Sequence, residues 1–182
     1  SRGKFTTTDN ADINWNTCAF TDMDAFVFMS YSTILATTFR RCGQVTQGGG
    51  VFTDCKFDNS TASIALVIDD ITKVTNTEFI SDGTGYAIEG FSSAGNYTLA
   101  NLTFTNYVVS NGTTGNEAIH VLATSGIVNL TISGGNSPSI HTAGATVNVI
   151  VGAVNTTVIV KTLAGVNISG SRVLVSASTS GV

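Results

Sequence analysis

The sequence predicts an all-β protein whose strands are wound into a parallel solenoid. Two observations predict it: the composition favours strands and turns, and two different strand signatures alternate along the chain. The 182 residues include 28 threonines and 19 glycines but a single proline. Threonine, valine and isoleucine favour pleated, half-buried strands, and glycine and asparagine favour the turns between them. No stretch shows the sustained 3.6-residue apolar period of a helix.

The first signature is a short strand that ends on a large apolar residue. Successive anchors are spaced 18–28 residues apart, and side chains alternate along a strand, so each anchor and the residue two before it are expected to face inward. A polar residue often stands three before the anchor. The six anchors are Phe20, Phe39, Phe57, Phe79, Phe104 and Ile132.

The second signature is a strand that carries a small residue followed by isoleucine. It recurs in residues 62–68, 85–91, 116–122 and 137–143. The pairs are Ser63 and Ile64, Ala87 and Ile88, Ala118 and Ile119, and Ser139 and Ile140. Two signatures in fixed order, with variable loops between them, indicate coils of about 18–28 residues that stack roughly 4.8 Å apart. A β-sandwich is the structural alternative, but it does not explain two signatures that alternate in register.

Charge and motif content exclude several classes of protein. Eight Lys and Arg stand against twelve Asp and Glu, for a formal net charge of −4. Nucleic-acid binding needs a broad basic face, so no nucleic-acid partner is expected. No run of about 18 apolar residues is present, so no membrane insertion is expected. No nucleotide-binding or hydrolase motif occurs, and no cofactor is expected. The three cysteines lack metal-ligand spacing and are expected to be reduced thiols.

The repeating segments carry a family resemblance. The runs FRRCGQ (39–44), CKFDNS (55–60), VTNTEFISDGTGYAIE (74–89), LANLTFTN (99–106) and NEAIHV (116–121) resemble the right-handed parallel β-helix, or pectate-lyase-like, segments of bacteriophage virion proteins. The resemblance implies a right-handed helix and a tail fibre, spike or capsid-attached decoration. Such proteins are commonly trimeric.

The end of the chain departs from the repeat. Residues 155–182 have no Phe anchor, and they resemble the opening of an Ig-like β-sandwich, with strands at 158–161 and 168–175 and a turn at 164–165. Three segments follow: residues 1–15 as an N-terminal arm or cap, 16–150 as the parallel β-helix, and 151–182 as a C-terminal β segment. The last segment is either a cap or the start of the Ig-like module.

Enzymes of the pectate-lyase-like class act on polysaccharides, and glycoside hydrolysis needs two carboxylates about 5–9.5 Å apart. Asp69 and Asp70 form the only paired-acid run, so they are the catalytic candidates if the protein is an enzyme. The G-H-G and R-I-K elements of polygalacturonase-like enzymes are absent. A non-enzymatic role is therefore favoured.

Counting from the anchors places charges opposite each other on neighbouring coils. Arg40 is expected opposite Asp58, Asp22 opposite Arg41, and Lys56 opposite Glu78. Such pairs stabilise strands by about 0.2–1 kcal/mol each.

One further column follows the second signature: Ala65, Glu89, His120 and His141 each come directly after the isoleucine. The last three are a candidate column for transition-metal binding or acid–base chemistry. A solvated outer row without function is the alternative.

The functional expectation is a structural and adhesive virion protein. Its expected partners are further copies of the chain, with a trimer as one arrangement, or other virion proteins, or host surface carbohydrate. A polysaccharide-degrading lyase or hydrolase is the alternative function. A secreted or cell-surface adhesin is the alternative class and location.

Overall fold

A computed structural model describes residues 3–7, 13–28, 32–152, 161–162 and 164–166. The chain divides into two compact units, Ser1–Gly152 and Ala153–Val182. The first unit is an all-β parallel solenoid of about seven turns, and it matches the right-handed parallel β-helix that the sequence predicts.

Most strands of the first unit are short, because each coil changes direction between the sheets. In chain order they are β1 (Lys4–Thr6), β2 (Asn14–Asn16), β3 (Ala19–Thr21), β4 (Ala25–Val27), β5 (Thr33–Leu35), β6 (Thr38–Arg40), β7 (Val45–Thr46), β8 (Val51–Thr53), β9 (Lys56–Asp58), β10 (Ile64–Val67), β11 (Val74–Thr75), β12 (Glu78–Ile80), β13 (Tyr86–Gly90), β14 (Gly95–Thr105), β15 (Ile119–Val121), β16 (Ile127–Gly135), β17 (Ile140–Thr142) and β18 (Thr146–Val151). A single 3₁₀ turn, Ile71–Lys73, precedes β11 within the described residues.

Three parallel sheets form the walls of the solenoid. Sheet A has the order β1-β4-β7-β10-β13-β15-β17, one strand from each of seven coils. Sheet B runs from β2 through β5, β8, β11 and β14 to β16 and β18. Sheet C contains β3, β6, β9, β12 and the second half of β14. The sequence revealed two of these strands per coil, those of sheets A and C.

The phenylalanine anchors line up in single file on sheet C. Each anchor is paired in register with the next one: Phe20 with Phe39, Phe39 with Phe57, Phe57 with Phe79 and Phe79 with Phe104. The four ring-centroid distances are 5.8, 5.0, 4.9 and 5.6 Å, with interplanar angles of 9–21°. Offset stacking of this kind stabilises a core beyond the apolar area that it buries. The predicted aromatic column is confirmed.

Positions two before the anchors also face the bore as predicted. Thr37, Cys55, Thr77 and Leu102 are at most 2% exposed. The two buried threonine hydroxyls donate to the carbonyls of Leu35 and Thr75, which removes the cost of burying them.

Two details of the predicted register are wrong. Ile132 lies on sheet B opposite Leu99, because β14 and β16 pair over Gly95–Leu102 and not over the anchor. In coil four, Leu66 and not Ile64 stands opposite Ile88. The small residue before it is therefore Ala65, two positions beyond the predicted Ser63.

The bend between sheets B and C is built from residues in the left-handed region. The members of this column have φ between 47° and 58°. Asparagine and aspartate tolerate this region better than other non-glycine residues, which explains the polar residue three before the anchor. The column consists of Thr17, Ala36, Asp54, Asn76 and Asn101. Asn101 donates its amide to Asn76 at 3.0 Å, so the side chains also connect the coils.

The segment expected as an arm contains two strands of the first coil. Phe5 on β1 pairs with Phe26, and Trp15 on β2 pairs with Ile34. The rings of Phe5 and Trp15 lie 4.8 Å apart. They belong to the aromatic filling of the first coils.

In the second unit, the described residues form one turn. The N–H of Gly165 donates to the carbonyl of Thr162, and the N–H of Thr162 donates to the carbonyl of Val166, both at 2.8 Å. Gly165 has a φ of 81°, which explains a glycine there. The predicted strands at 158–161 and 168–175, and with them the Ig-like module, lie almost wholly outside the described residues.

Candidate functional site

The outer face of sheet A carries the predicted column. Glu89 stands opposite His120, and His120 stands opposite His141, on three successive coils. Val67, and not Ala65, precedes Glu89 in this column, as the corrected register of coil four requires. The column contains both histidines of the chain.

The column residues are joined by short hydrogen bonds. Nδ1 of His120 lies 2.8 Å from Oε2 of Glu89, and their side chains are 20% and 21% exposed. Nδ1 of His141 lies 2.7 Å from the hydroxyl of Tyr86. The Tyr86 ring stacks on His120 at a centroid distance of 4.8 Å, and the two imidazole rings are also 4.8 Å apart. Burial, followed by the charges of Glu117 and Glu89, raises the pKa of the Tyr86 phenol, so the phenol stays neutral.

Glu117 completes the cluster from the loop that precedes β15. Its side chain is fully buried, and Oε2 lies 3.5 Å from Nδ1 of His141. It accepts hydrogen bonds from the N–H and hydroxyl of Thr114 and from the N–H of Gly115. Burial alone raises the pKa of Glu117, but these hydrogen bonds and that of its own N–H outweigh burial and lower it to about 2. Glu117 therefore places a negatively charged carboxylate 3.5 Å from Nδ1 of His141 at neutral pH.

Sequence reasoning missed Tyr86 and Glu117 for different reasons. Strict alternation places Tyr86 on the same face as the buried Ile88. The ladder is irregular there, since the carbonyl of Ala118 accepts from the N–H groups of both Ala87 and Ile88. Glu117 stands directly before the small residue Ala118 of the second signature, but it lies in the loop that leads into β15, so alternation along a strand does not predict its orientation. The one sequence feature that points to Glu117 is the occurrence of an acidic residue two positions before the buried Ile119.

All three predicted charge pairs are confirmed. Arg41 donates to both oxygens of Asp22, at 3.0 and 2.6 Å. Nζ of Lys56 lies 2.9 Å from Glu78. Nε of Arg40 lies 3.6 Å from Asp58. Most side chains of these pairs are about two-fifths exposed. They therefore form surface ion pairs, each of which stabilises the fold by about 0.2–1 kcal/mol.

Asp69 and Asp70 are adjacent but differently placed. The buried amide of Gln47 accepts from the N–H groups of both, and donates to the carbonyl of Asp70 at 2.8 Å. The Asp70 carboxylate caps the 3₁₀ turn by accepting from the N–H and hydroxyl of Thr72. The Thr72 hydroxyl bond lowers the pKa of Asp70, with burial opposing it and the N–H of Thr72 and the charge of Lys73 adding to it. Asp70 thus has a structural role.

Asp69 is exposed and lines a groove of about 310 Å³ at the bend between sheets A and B. The groove is also lined by Phe91, Ser93, Tyr97 and Leu122. The Tyr97 hydroxyl donates to the Ser93 carbonyl at 3.0 Å, which fixes the ring. One carboxylate faces this groove, whereas glycoside hydrolysis needs two.

The described residues contain no group of three or more His, Cys, Asp or Glu side chains placed to hold a metal ion. No helix in the described part of the chain is long and apolar enough to cross a membrane. No protein-family model matches the chain, and neither does any curated protein or solved structure.

Proposed function

We propose that the protein is a structural and adhesive component of a bacteriophage virion, such as a tail fibre, a spike or a capsid-attached decoration. The resemblance of its repeating segments to β-helical virion proteins supports the origin. The parallel β-helix is the fold that this resemblance implies. The virion is the location that accompanies the proposal, and a secreted or cell-surface adhesin is the alternative.

The observation that carries the proposal is the use of the outward polar side chains. On sheet C they form ion pairs between coils, and asparagine side chains form ladders at the bend between sheets B and C and on sheet B. One ladder joins Asn101 to Asn76, and the other runs from Asn148 through Asn129 to Asn96 on sheet B. These contacts cross-link neighbouring coils, together with parallel backbone pairing along the whole axis. Links of both kinds between every pair of neighbouring coils make the solenoid stiff, as a fibre or spike requires.

Exposed apolar side chains support a role in contacts with other proteins. Val109, on the insertion between β14 and β15, is 99% exposed, and Val151 at the end of β18 is 65% exposed. Ile127 is 54% exposed. Further copies of the chain, with a trimer as one arrangement, or other virion proteins are the partners that fit these side chains. Host surface carbohydrate is the partner that fits the groove beside Asp69 and Tyr97.

Mass spectrometry of purified particles tests the virion role. We expect peptides of this chain to co-purify with the major capsid protein at a constant ratio through a density gradient. Peptides found only in the soluble fraction would contradict the proposal.

A second experiment tests the enzyme alternative. The purified chain is incubated with capsular and pectic polysaccharides, and reducing ends are measured for the wild type and for Asp69→Asn. Sugar release that this substitution abolishes would favour the lyase or hydrolase alternative.

A further inference from the structure

We infer that His120 and His141 bind one divalent transition-metal ion of the zinc class on the outer face of sheet A. Each histidine supplies one nitrogen, and water completes the coordination. The inference goes beyond a structural virion role, because it assigns a ligand to a face of the solenoid.

The hydrogen bonds of the two imidazoles decide which nitrogens are available. A carboxylate only accepts, so the contact of Glu89 with Nδ1 of His120 places the proton on Nδ1 and the lone pair on Nε2. Nδ1 of His141 faces two oxygens, the hydroxyl of Tyr86 at 2.7 Å and the carboxylate of Glu117 at 3.5 Å. The Tyr86 hydroxyl can accept from an N–H at this atom, and the negative charge of Glu117 beside it favours the proton there, which leaves the lone pair on Nε2.

This is the arrangement in which histidines hold metals. A metal-binding histidine commonly donates its other N–H to a carboxylate or carbonyl, which fixes the ring and raises its basicity. Here Glu89 is such a partner for His120, while Nδ1 of His141 is hydrogen-bonded to the Tyr86 hydroxyl with the Glu117 carboxylate 3.5 Å away. The imidazole centroids are 4.8 Å apart on adjacent coils, close enough for one ion to contact a nitrogen of each at about 2.0–2.1 Å.

The charge around the pair favours a cation. Glu89 and Glu117 are the carboxylates in contact with the histidines. The lysine and arginine ion pairs within the described residues involve other acids, namely Asp22, Asp58, Asp70 and Glu78. Within the described part of the chain neither Glu89 nor Glu117 is in an ion pair with a lysine or arginine, so both negative charges can offset the charge of a divalent ion.

The ion would join the last two coils of sheet A. His120 lies on β15 and His141 on β17, which is the terminal strand of that sheet in the described residues. A terminal strand has a neighbour on one side only, so it is the easiest to detach. A bridge between these two side chains stabilises that strand by binding the folded state alone.

Titration of the tag-free full chain with Zn²⁺ tests the inference. We expect one saturable site by calorimetry, and selective shifts of both Nε2 resonances in long-range ¹H–¹⁵N spectra, which are simple to assign because the chain has two histidines. His120→Ala and His141→Ala should each weaken binding about tenfold or more. Glu89→Gln should weaken binding by about 10- to 100-fold, since it replaces the charged carboxylate that orients His120 with a neutral amide.

Glu78→Gln is the matched control, because it alters an outward carboxylate on sheet C that is paired with Lys56. It should leave Zn²⁺ affinity unchanged. Circular dichroism and the unfolding midpoint verify that every variant is folded. The inference is overturned if the wild type shows no saturable binding up to about 1 mM Zn²⁺. It is equally overturned if the His120→Ala/His141→Ala double variant, folded, binds as tightly as the wild type.

Discussion

The side-chain amide of Asn136 takes the place of a missing strand above Phe104. Its Oδ1 accepts from the N–H of Phe104 at 2.7 Å, and its Nδ2 donates to the carbonyl of Phe104 at 2.8 Å. Sheet C ends at Phe104, since the following coil pairs with β14 only as far as Leu102 and Gly135. One amide thereby satisfies the backbone groups that the next coil would otherwise have bonded.

Replacing this amide should destabilise the end of sheet C. Asn136→Ala leaves the two backbone groups of Phe104 without protein partners, and we expect a loss of about 1–2 kcal/mol in the free energy of unfolding. Asn136→Asp should cost at least as much, because a carboxylate cannot donate to the carbonyl. Urea denaturation measures both. Asn148→Ala is the control, since that exposed amide bonds to a side chain; an equal loss there would contradict the capping role.

The centre of the aromatic column should be more sensitive than its end. Phe79 is fully buried between Phe57 and Phe104, and Phe79→Ala should cost about 3–5 kcal/mol through lost burial and a cavity. Phe20 is half-buried at the first coil, and Phe20→Ala should cost distinctly less. Thermal unfolding of both variants gives the comparison. Equal losses at the two positions would show that the column does not act as a continuous core.

Much of this architecture was predictable because stacking makes neighbours out of residues one coil apart. Once Phe39, Phe57 and Phe79 are aligned, counting one residue before or after each anchor fixes which charges meet. The same counting found the column of Glu89, His120 and His141, because the isoleucines of coils five to seven are in true register.

The remaining features lacked a repeating residue. Sheet B places residues of different size in one inward column, Trp15, Ile34, Phe52 and Val74. The bore accepts any apolar side chain that fills the local space, so no single residue type recurs in this column. Tyr86 and Glu117 depend on an irregular ladder and on a loop, neither of which a period of two describes. The groove beside Asp69 forms where loops of unrelated sequence meet.

The ion pair of Lys56 and Glu78 allows the charge pairing between coils to be tested by exchanging the two residues. Lys56 stands between Thr38 and Glu78, and Glu78 stands between Lys56 and Thr103, so no other charge lies in this row. Lys56→Glu should destabilise the fold by about 0.5–1 kcal/mol, because like charges then face each other. Lys56→Glu with Glu78→Lys should restore stability. The effect should shrink in 1 M salt; a double variant as unstable as the single one would refute the pairing.

The cysteines should divide into one reactive thiol and two protected ones. Cys42 and Cys55 are buried, Cys18 is half-buried, and all three are reduced thiols. A thiol reagent should therefore label Cys18 in the native protein, and the other two only after unfolding. Labelling of Cys55 at the rate of Cys18 under native conditions would contradict the burial of this position in the bore.

Cys55 should also make stability depend on alkaline pH. Burial raises the pKa of its thiol from the usual 9.0 to about 11, against the opposing hydrogen bonds with Thr37 and Thr53. The unfolded chain releases the proton first as pH rises, so the contribution of Cys55 is fully present below about pH 9 and is lost progressively as pH approaches 11. Urea midpoints measured between pH 8 and 11 should therefore fall more steeply for the wild type than for Cys55→Ala. That variant is less stable at neutral pH because of its cavity, but it has no thiol to ionise. Identical slopes for the two proteins would show that Cys55 ionises as readily in the fold as in the unfolded chain.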